Sequence, residues 1–442
     1  MVPRFSIIVA IDEKNGIGKD GKIPWKNSED MKFFKYMTIG DGNNALIMGR
    51  KTYESLPNKL DRRKVVVLSR TSGYSDLLLA LKDLGKENHD HIYICGGERL
   101  YNEVIDKYLY LCDDIHVTKI KGDYDCDTFF PFDKIKHFDN ICSLSDNRFR
   151  YIPNLKHDEE QYLNLLRNIK DSGEERPDRT GVGTRSIFGA RMEFNISETV
   201  PILTTKKVFY NMVIKELLFF ISGKTDSNIL SDDGIKIWEG NTSKSFLEKR
   251  GLEYREGDMG AIYGFQFRHW NAEYKGCDAD YTGKGVDQLK NLIDGIKKDP
   301  YSRRHLLSTW NVSQLNEMVL APCHVLCQFY VSKDGYLDCQ LYQRSGDMFL
   351  GVPFNIACYS IFTRMIAHIT ELKARKFIHI IGDAHIYNNH IEQVEKQLKR
   401  TPMPFPKLYL KQDVKEIDDF TFQDFLLDEY NCWPGIKAEM AV

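Results

Sequence analysis

Thirteen residues from Gln343 to Asn355, Gln-Arg-Ser-Gly-Asp-Met-Phe-Leu-Gly-Val-Pro-Phe-Asn, follow Ala321-Pro322-Cys323-His324 and the pair Arg303-Arg304. Together they offer a nucleophile, an anion clamp and an amide suited to a nucleobase edge. Cys323 reacts as a thiolate, and positive charge nearby lowers the ordinary thiol pKa of about 8.5. Arg344 is close to it in sequence, and Arg179, Arg303 and Arg304 converge on the same anion if the fold allows. Bidentate guanidinium groups suit a phosphate dianion better than lysines do. Asn355 sits among Pro353, Phe354 and Ile356, and its carboxamide both accepts and donates. A buried asparagine also commonly satisfies backbone groups, so its setting must decide.

Other residues carry chemistry by position. Arg179 lies in Asp178-Arg179-Thr180-Gly181-Val182-Gly183-Thr184, where two glycines permit a tight turn and close backbone approach. Glu216 has Met212, Val213, Phe219 and Phe220 as its helical neighbours. A carboxylate on that face is paired or functional, because an unpaired buried charge is costly. In the first third, Asp30 follows Pro24-Trp25-Lys26-Asn27-Ser28-Glu29, with Ser28 as the expected N-cap. An acid in the first helical turn favours the helix dipole, and beside Phe33 and Phe34 it also suits a heterocycle with amino and ring N–H groups. Two strand-to-helix turns, Ile47-Met48-Gly49-Arg50-Lys51-Thr52 and Ile92 to Cys95 followed by Gly96-Gly97, let backbone N–H groups approach a pyrophosphate. Arg50, Ser69 and Arg70 supply charge and a hydroxyl for a 2′-phosphate.

Short β-rich runs must position the first group: Phe5 to Ile11, Ala45 to Met48, Val65 to Leu68, Ile92 to Cys95 and Ile115 to Ile120. Amphipathic segments, such as Asp30 to Tyr36 and Tyr101 to Asp106, lie between them. This alternation argues a mainly parallel sheet covered on both faces. The pattern changes between Tyr151 and Lys156, after which Asp158 to Ile169 reads as a helix. Asn271 to Gly285, polar and Gly-rich, reads as a surface insertion.

These motifs identify a resemblance. The stretch around Cys323 and Gln343 to Asn355 closely resembles thymidylate synthase, and the match runs through most of residues 155–442. Residues 1–150 resemble dihydrofolate reductase, and the order resembles the bifunctional dihydrofolate reductase–thymidylate synthase family of protozoa and plants. The resemblance implies an α/β reductase domain (1–152), a mainly parallel twisted sheet flanked by helices, then an α+β thymidylate synthase domain (153–442). It implies methylation of dUMP to dTMP with 5,10-methylenetetrahydrofolate, and NADPH-dependent reduction of the dihydrofolate released. Cys323, Glu216, Tyr263 and His324 are then the catalytic residues of the synthase, and Asp30 that of the reductase. The dUMP set is Arg179, Arg303, Arg304 and Arg344 at phosphate, His385 and Tyr387 at ribose, and Asn355 at uracil, with Gln343, Ser345 and Asp347, the last also reaching the pterin. Trp238, Gly351, Phe354 and the C-terminal Val442 face the synthase folate. Phe34, Leu56, Arg63 and Thr118 serve the reductase folate, Arg63 at the glutamate carboxylate and Thr118 behind Asp30. The NADPH set is Ala10, Ile17, Gly49, Arg50, Lys51, Thr52, Ser69, Arg70, Gly96, Gly97 and Tyr101. No metal is implied. A homodimer through the synthase domain is, with Arg303 and Arg304 reaching the partner's phosphate site.

Composition narrows the remaining classes. The 442 residues are 42% hydrophobic and 12% aromatic, enough for two or three domains with real cores. Lys plus Arg number 61 against 63 acids, a net charge of −2, which gives no support to nucleic-acid or membrane attraction. The ten cysteines lack CxxC pairs and read as reduced thiols in the cytoplasm. The first apolar run, Phe5 to Ile11, leads into Asp12-Glu13-Lys14 and suits a buried strand. A pyrimidine hydroxymethylase is the rival enzyme, and Asn355 argues against its cytosine substrate.

Overall fold

The computed structural model describes residues 3–439 except 57, 59, 70, 72, 88, 137, 139, 146, 153–156 and 179. Arg70, Arg179 and Val442 therefore lie outside the described residues. The chain divides into two compact units, 1–156 and 157–442.

The first unit is built on a sheet of seven strands: β1 (Phe5–Ile11), β2 (Asn44–Gly49), β3 (Arg63–Leu68), β4 (Ile92–Ile94), β5 (Cys112–Lys119), β6 (Asn140–Ser145) and β7 (Arg148–Ile152). Their order is β3-β2-β4-β1-β5-β7-β6. The first five are parallel, which explains why β1 and β2 are near-continuous apolar runs buried on both faces. β7 and β6 close the sheet as an antiparallel hairpin. Sequence reading did not anticipate these two strands, because Arg148-Phe149-Arg150-Tyr151 alternates and offers no apolar run. The adjacent parallel strands β2 and β4 end side by side, so the two glycine turns that follow them meet.

In the second unit, β8 (Glu174–Arg176), β9 (Thr184–Asn195), β10 (Leu306–Ser308), β11 (His324–Val331), β12 (Tyr336–Asp347) and β13 (Lys373–Tyr387) form a sheet ordered β8-β9-β13-β12-β11-β10. Only β12 and β13 are parallel. Strand alternation sends Phe194, Phe329, Cys339 and Phe377 to one face, where they are buried in the core. The Gly351–Ile369 helix belongs to that same core. Fourteen of its residues are buried, and its apolar character all round marks it as central. The opposite face carries Leu326, Gln328, Tyr330, Gln340, Tyr342, Ile378 and Ile380 at half-buried or exposed positions.

Two expectations are corrected. Asn27, not Ser28, caps the Ser28–Ile39 helix: its side chain accepts from the Glu29 and Asp30 N–H groups at 3.1 and 3.0 Å. A cap needs extended backbone, which Asn27 has and Ser28, already helical, lacks. The 271–285 insertion is also more than surface. Tyr274 and Tyr281 pack on the fully buried Phe265, and the Tyr274 hydroxyl donates to Asp258 at 2.6 Å. Among the described residues no helix is long and apolar enough to cross a membrane.

Candidate active sites

Cys323 stands just before β11, half-buried. The Arg344 guanidinium holds the preceding loop, donating to the Pro322 carbonyl at 3.0 Å and the Ala321 carbonyl at 2.7 Å. This places its Nη2 3.8 Å from Cys323 Sγ. A fixed positive charge at that range favours thiolate over thiol. The Cys323 N–H donates to the Tyr263 hydroxyl at 3.0 Å. Tyr263 has a φ of 29°, an uncommon conformation for a non-glycine residue that its buried neighbours impose. Burial pushes its phenol well above the ordinary range, so the hydroxyl keeps its proton.

Glu216, on the Tyr210–Ile221 helix, reaches the same neighbourhood through Trp238. The Trp238 indole N–H donates to its Oε1 at 2.8 Å. Burial still dominates, and the carboxyl is pushed up to about 7 despite that bond. The helix neighbours of Glu216 predict this: Val213, Phe219 and Phe220 are all core. Trp238 and Tyr263 rings lie 6.2 Å apart, forming one wall.

Beyond Cys323 lies a polar chain that the sequence did not disclose. His324 hydrogen-bonds Asn355, and burial lowers its pKa to about 4, so the ring is neutral. Gln343 Nε2 donates to Asn355 Oδ1 at 3.0 Å, and the buried His379 bonds Gln343 Oε1 at 2.8 Å. His379 was missed because it reads as one polar residue within an apolar strand. Only its pairing opposite Leu341, one row from Gln343, reveals the connection.

The strand ends gather the remaining residues. β9 pairs Thr184 with Tyr387 and Ser186 with His385, while β12 pairs Ser345 with Asp383 and Asp347 with His385. The Asp178–Gly183 turn is drawn beside them. Asp178 accepts from the Thr180 and Gly183 N–H groups, each at 2.8 Å, and the Asn388 N–H reaches the Gly183 carbonyl at 3.0 Å. His385 Nδ1 lies 3.1 Å from Asp383, and this contact holds Asp383 below the usual carboxylate range. Asp347 Oδ1 accepts from the Phe349 and Leu350 N–H groups at 2.9 and 3.2 Å, leaving Oδ2 for a ligand. Gly351 opens the helix that carries Phe354 and Asn355.

Arg303 and Arg304 do not join this group within one chain. β10 pairs Leu306 with Gln328, so Arg304 falls opposite Tyr330. That position is seven residues beyond Cys323, roughly 24 Å away at ~3.4 Å per residue. Both arginines are exposed, and among the described residues neither guanidinium has an ion-pair partner.

In the first unit, Asp30 is half-buried, and burial raises its carboxyl above the ordinary range against a hydrogen bond from Thr118 and the charge of Arg148. Ala10, Thr118 and Arg148 form one row across β1, β5 and β7 beneath it. Asp30, Phe34 and Thr38 recur every four residues and share one helical face. Thr38 accepts from Arg63 Nη1 at 2.9 Å. The face thus runs from a carboxylate, past Phe34 with Leu56 in the same apolar cluster, to a guanidinium about 12 Å along. Thr38 was missed, although its i+8 spacing from Asp30 was available.

The Gly49 N–H donates to the Gly96 carbonyl at 2.8 Å, joining the two turns. A Cβ on Gly97 would lie 3.1 Å from Thr52 Oγ1, and one on Gly96 3.1–3.2 Å from the Tyr101 ring, so both glycines keep a cradle open. Neither following helix has a side-chain N-cap, which leaves N–H groups for an anion. Lys51 lies exposed on the first of these helices, and Ile17 is half-buried in the Gly16–Gly18 strand. Tyr101 underlies the cradle, with its hydroxyl committed to the Ile8 carbonyl at 2.8 Å. Arg50 Nη1 and Ser69 Oγ both approach Thr71 Oγ1, at 3.4 and 3.2 Å.

A family model for thymidylate synthase matches residues 160–442, and one for dihydrofolate reductase matches residues 4–149. The chain is 41% identical to the bifunctional dihydrofolate reductase-thymidylate synthase 2 of Arabidopsis thaliana, with 99% of this chain and 88% of that protein covered. It is also 41% identical to the bifunctional enzymes of Zea mays and Paramecium tetraurelia. There 99% of this chain is covered, with 97% and 99% of the respective relatives.

Proposed function

The chain belongs to the bifunctional dihydrofolate reductase–thymidylate synthase family, and from that premise we propose how its residues divide the chemistry. It methylates dUMP to dTMP with 5,10-methylenetetrahydrofolate and reduces the resulting dihydrofolate with NADPH. Cys323 Sγ adds to C6 of uracil, making C5 nucleophilic. Arg344 stabilises the thiolate beforehand and, with Arg179, binds the phosphate. Glu216, near neutrality, both gives and takes a proton through water at the pyrimidine. Tyr263 relays the C5 proton as a neutral hydroxyl. His324 stays neutral and steadies Asn355, whose amide reads O4 and N3–H. His385 and Tyr387 bind the ribose; Asp347, Trp238, Phe354 and the C-terminus around Val442 receive the folate. Methylenetetrahydrofolate supplies the one-carbon unit and a hydride, and NADPH the hydride of the second reaction. The observation that carries the synthase assignment is Cys323 Sγ at 3.8 Å from Arg344, with Glu216 bonded to Trp238, whose ring lies against Tyr263 beside Cys323.

In the reductase, Asp30 holds the pterin amino and ring N–H groups and assists protonation at N5. Arg63 takes the glutamate carboxylate at the far end of the same helix face. The open glycine cradle fits a pyrophosphate, and Arg50 and Ser69, with the charge of Arg70 next in sequence, suit a 2′-phosphate, hence NADPH. A coupled assay tests the whole reading by following dTMP release and NADPH oxidation separately. Matching rates are expected, and dTMP release without NADPH loss would remove the reductase assignment.

The protein acts as a homodimer through its synthase unit. The register that carries Arg303 and Arg304 away from Cys323 supports this, because those unpartnered guanidinium groups are then free to complete another subunit's phosphate site. The uncovered sheet face around Leu326, Tyr342, Ile378 and Ile380, with Tyr330 63% exposed, is the surface such a partner would bury. A cytoplasmic location follows from the need to keep Cys323 reduced. Fusion fixes the two activities at equal amounts and raises their mutual concentration.

A further inference from the structure

His379 is fully buried on the core face of β13. Its Nε2 lies 2.8 Å from Gln343 Oε1. Gln343 Nε2 in turn lies 2.9 Å from the Ser345 carbonyl and 3.0 Å from Asn355 Oδ1. A backbone carbonyl only accepts, so the Gln343 nitrogen must face Ser345 and its oxygen must face His379. His379 therefore donates through Nε2–H, and its Nδ1 carries no proton. A second observation agrees: Nδ1 is buried without a hydrogen-bond partner among the described residues. Buried unpaired N–H groups are rarer than under-satisfied acceptors, so an unpartnered Nδ1 fits the acceptor role. Burial also holds the ring pKa down to about 3, so the imidazole is neutral.

We propose that His379 is a positioning residue that, together with the Ser345 carbonyl, locks the polarity of the base-reading edge, and through it the preference of this site for uracil over cytosine nucleotides. The inference rests on the reading of Asn355 as the residue that meets the pyrimidine. Gln343 donates to Asn355 Oδ1, so Asn355 cannot flip without setting two amide donors face to face. Locked in this way, its Nδ2 donates to O4 of uracil and its oxygen accepts from N3–H. Cytosine presents the opposite pattern, an N4 amino group and an unprotonated N3, and meets like against like. His379 anchors the oxygen end of Gln343; without it the carboxamide is held at one end only, and both amides gain freedom to turn.

The test measures dissociation constants for dUMP and dCMP with the full-length protein and its variants. A bidentate polar match discriminates by roughly tenfold to a hundredfold. His379→Leu is expected to narrow the dUMP-to-dCMP ratio by about tenfold, the lower end of that range. His379→Gln, whose amide nitrogen reaches about as far as Nε2, is expected to restore it, which a purely space-filling role would not require. A wild-type ratio in folded His379→Leu overturns the proposal. Asn355→Asp run in parallel separates the two ideas. If it narrows the ratio while His379→Leu does not, only the role of His379 falls. If neither variant changes the ratio, the reading of Asn355 falls as well. Should His379→Leu not fold, nitrogen NMR of histidine-labelled wild-type protein decides. An Nε2–H tautomer persisting at pH 6 supports the proposal, and an Nδ1–H tautomer or an imidazolium overturns it.

Discussion

Glu216→Gln should stabilise the synthase unit while abolishing its catalysis, and the gain should depend on pH in a defined direction. Burial raises the Glu216 carboxyl from 4.5 in the unfolded chain to about 7 in the folded one. Between those values the folded state binds more protons than the unfolded state, so stability falls as pH rises through that window. At ~1.36 kcal/mol per pKa unit, the raised pKa makes the ionised carboxylate unfavourable by roughly 3 kcal/mol above pH 7. Glutamine escapes this penalty and still accepts the Trp238 N–H, so the figure is an upper bound; its new amide hydrogens also need partners. The assay is calorimetric unfolding of wild type and variant from pH 5 to 8.5, with the synthase transition assigned by its upward shift on adding dUMP. At roughly 2 °C per kcal/mol for a unit of this size, the variant should gain up to about 6 °C at pH 8.5 and about 1–2 °C at pH 5. An offset that is equal at the two pH values would refute the argument that burial, rather than Trp238 or nearby charge, controls this carboxylate.

Asp30→Asn should lower NADPH oxidation with dihydrofolate by at least ~100-fold, the usual scale for losing a general acid, while dTMP formation continues; loss of both activities would point to a structural role. Gly183→Ala meets a φ of 77° and places its Cβ 2.7 Å from Asn388 Nδ2. Strain of ~1–2 kcal/mol should shift the phosphate turn and weaken dUMP binding about tenfold, and unchanged affinity by calorimetry would count against the placement of that turn. Cys323→Ser should nearly abolish dTMP synthesis while retaining dUMP binding, and substantial turnover in this variant would contradict the nucleophile assignment. Exchanging subunits between Cys323→Ser and an Arg303→Ala/Arg304→Ala double variant, each inactive alone, should restore about a quarter of wild-type synthase activity, because half the dimers then carry one intact site. No recovery after confirmed exchange would separate the arginines from the partner's pocket.

Much of the site was legible because its chemistry is concentrated in short stretches. Cys323 and Arg344 were legible as types, and the structure adds the clamp on the Ala321 and Pro322 carbonyls that fixes their distance. Glu216 was legible from its apolar helical neighbours, and those same neighbours raise its pKa. The N-cap was misplaced by one residue because Asn27 and Ser28 are both good caps, and backbone dihedrals alone decide between them. The β6–β7 hairpin was missed because Arg148-Phe149-Arg150-Tyr151 alternates rather than forming an apolar run.

The sequence alone determined the family, the two activities in series and the parallel core of the first unit, because contiguous motifs carry the first two through resemblance and local periodicity carries the third. Tertiary structure decided what depends on register between distant strands. Pairing β10 with β11 sends Arg303 and Arg304 away from Cys323, and pairing β12 with β13 sets His379 behind Gln343 and Asp347 beside His385. A strand's side chains change face with every residue, so a one-residue slip would reverse these juxtapositions. No local pattern specifies that alignment; it is set by which faces must be buried together.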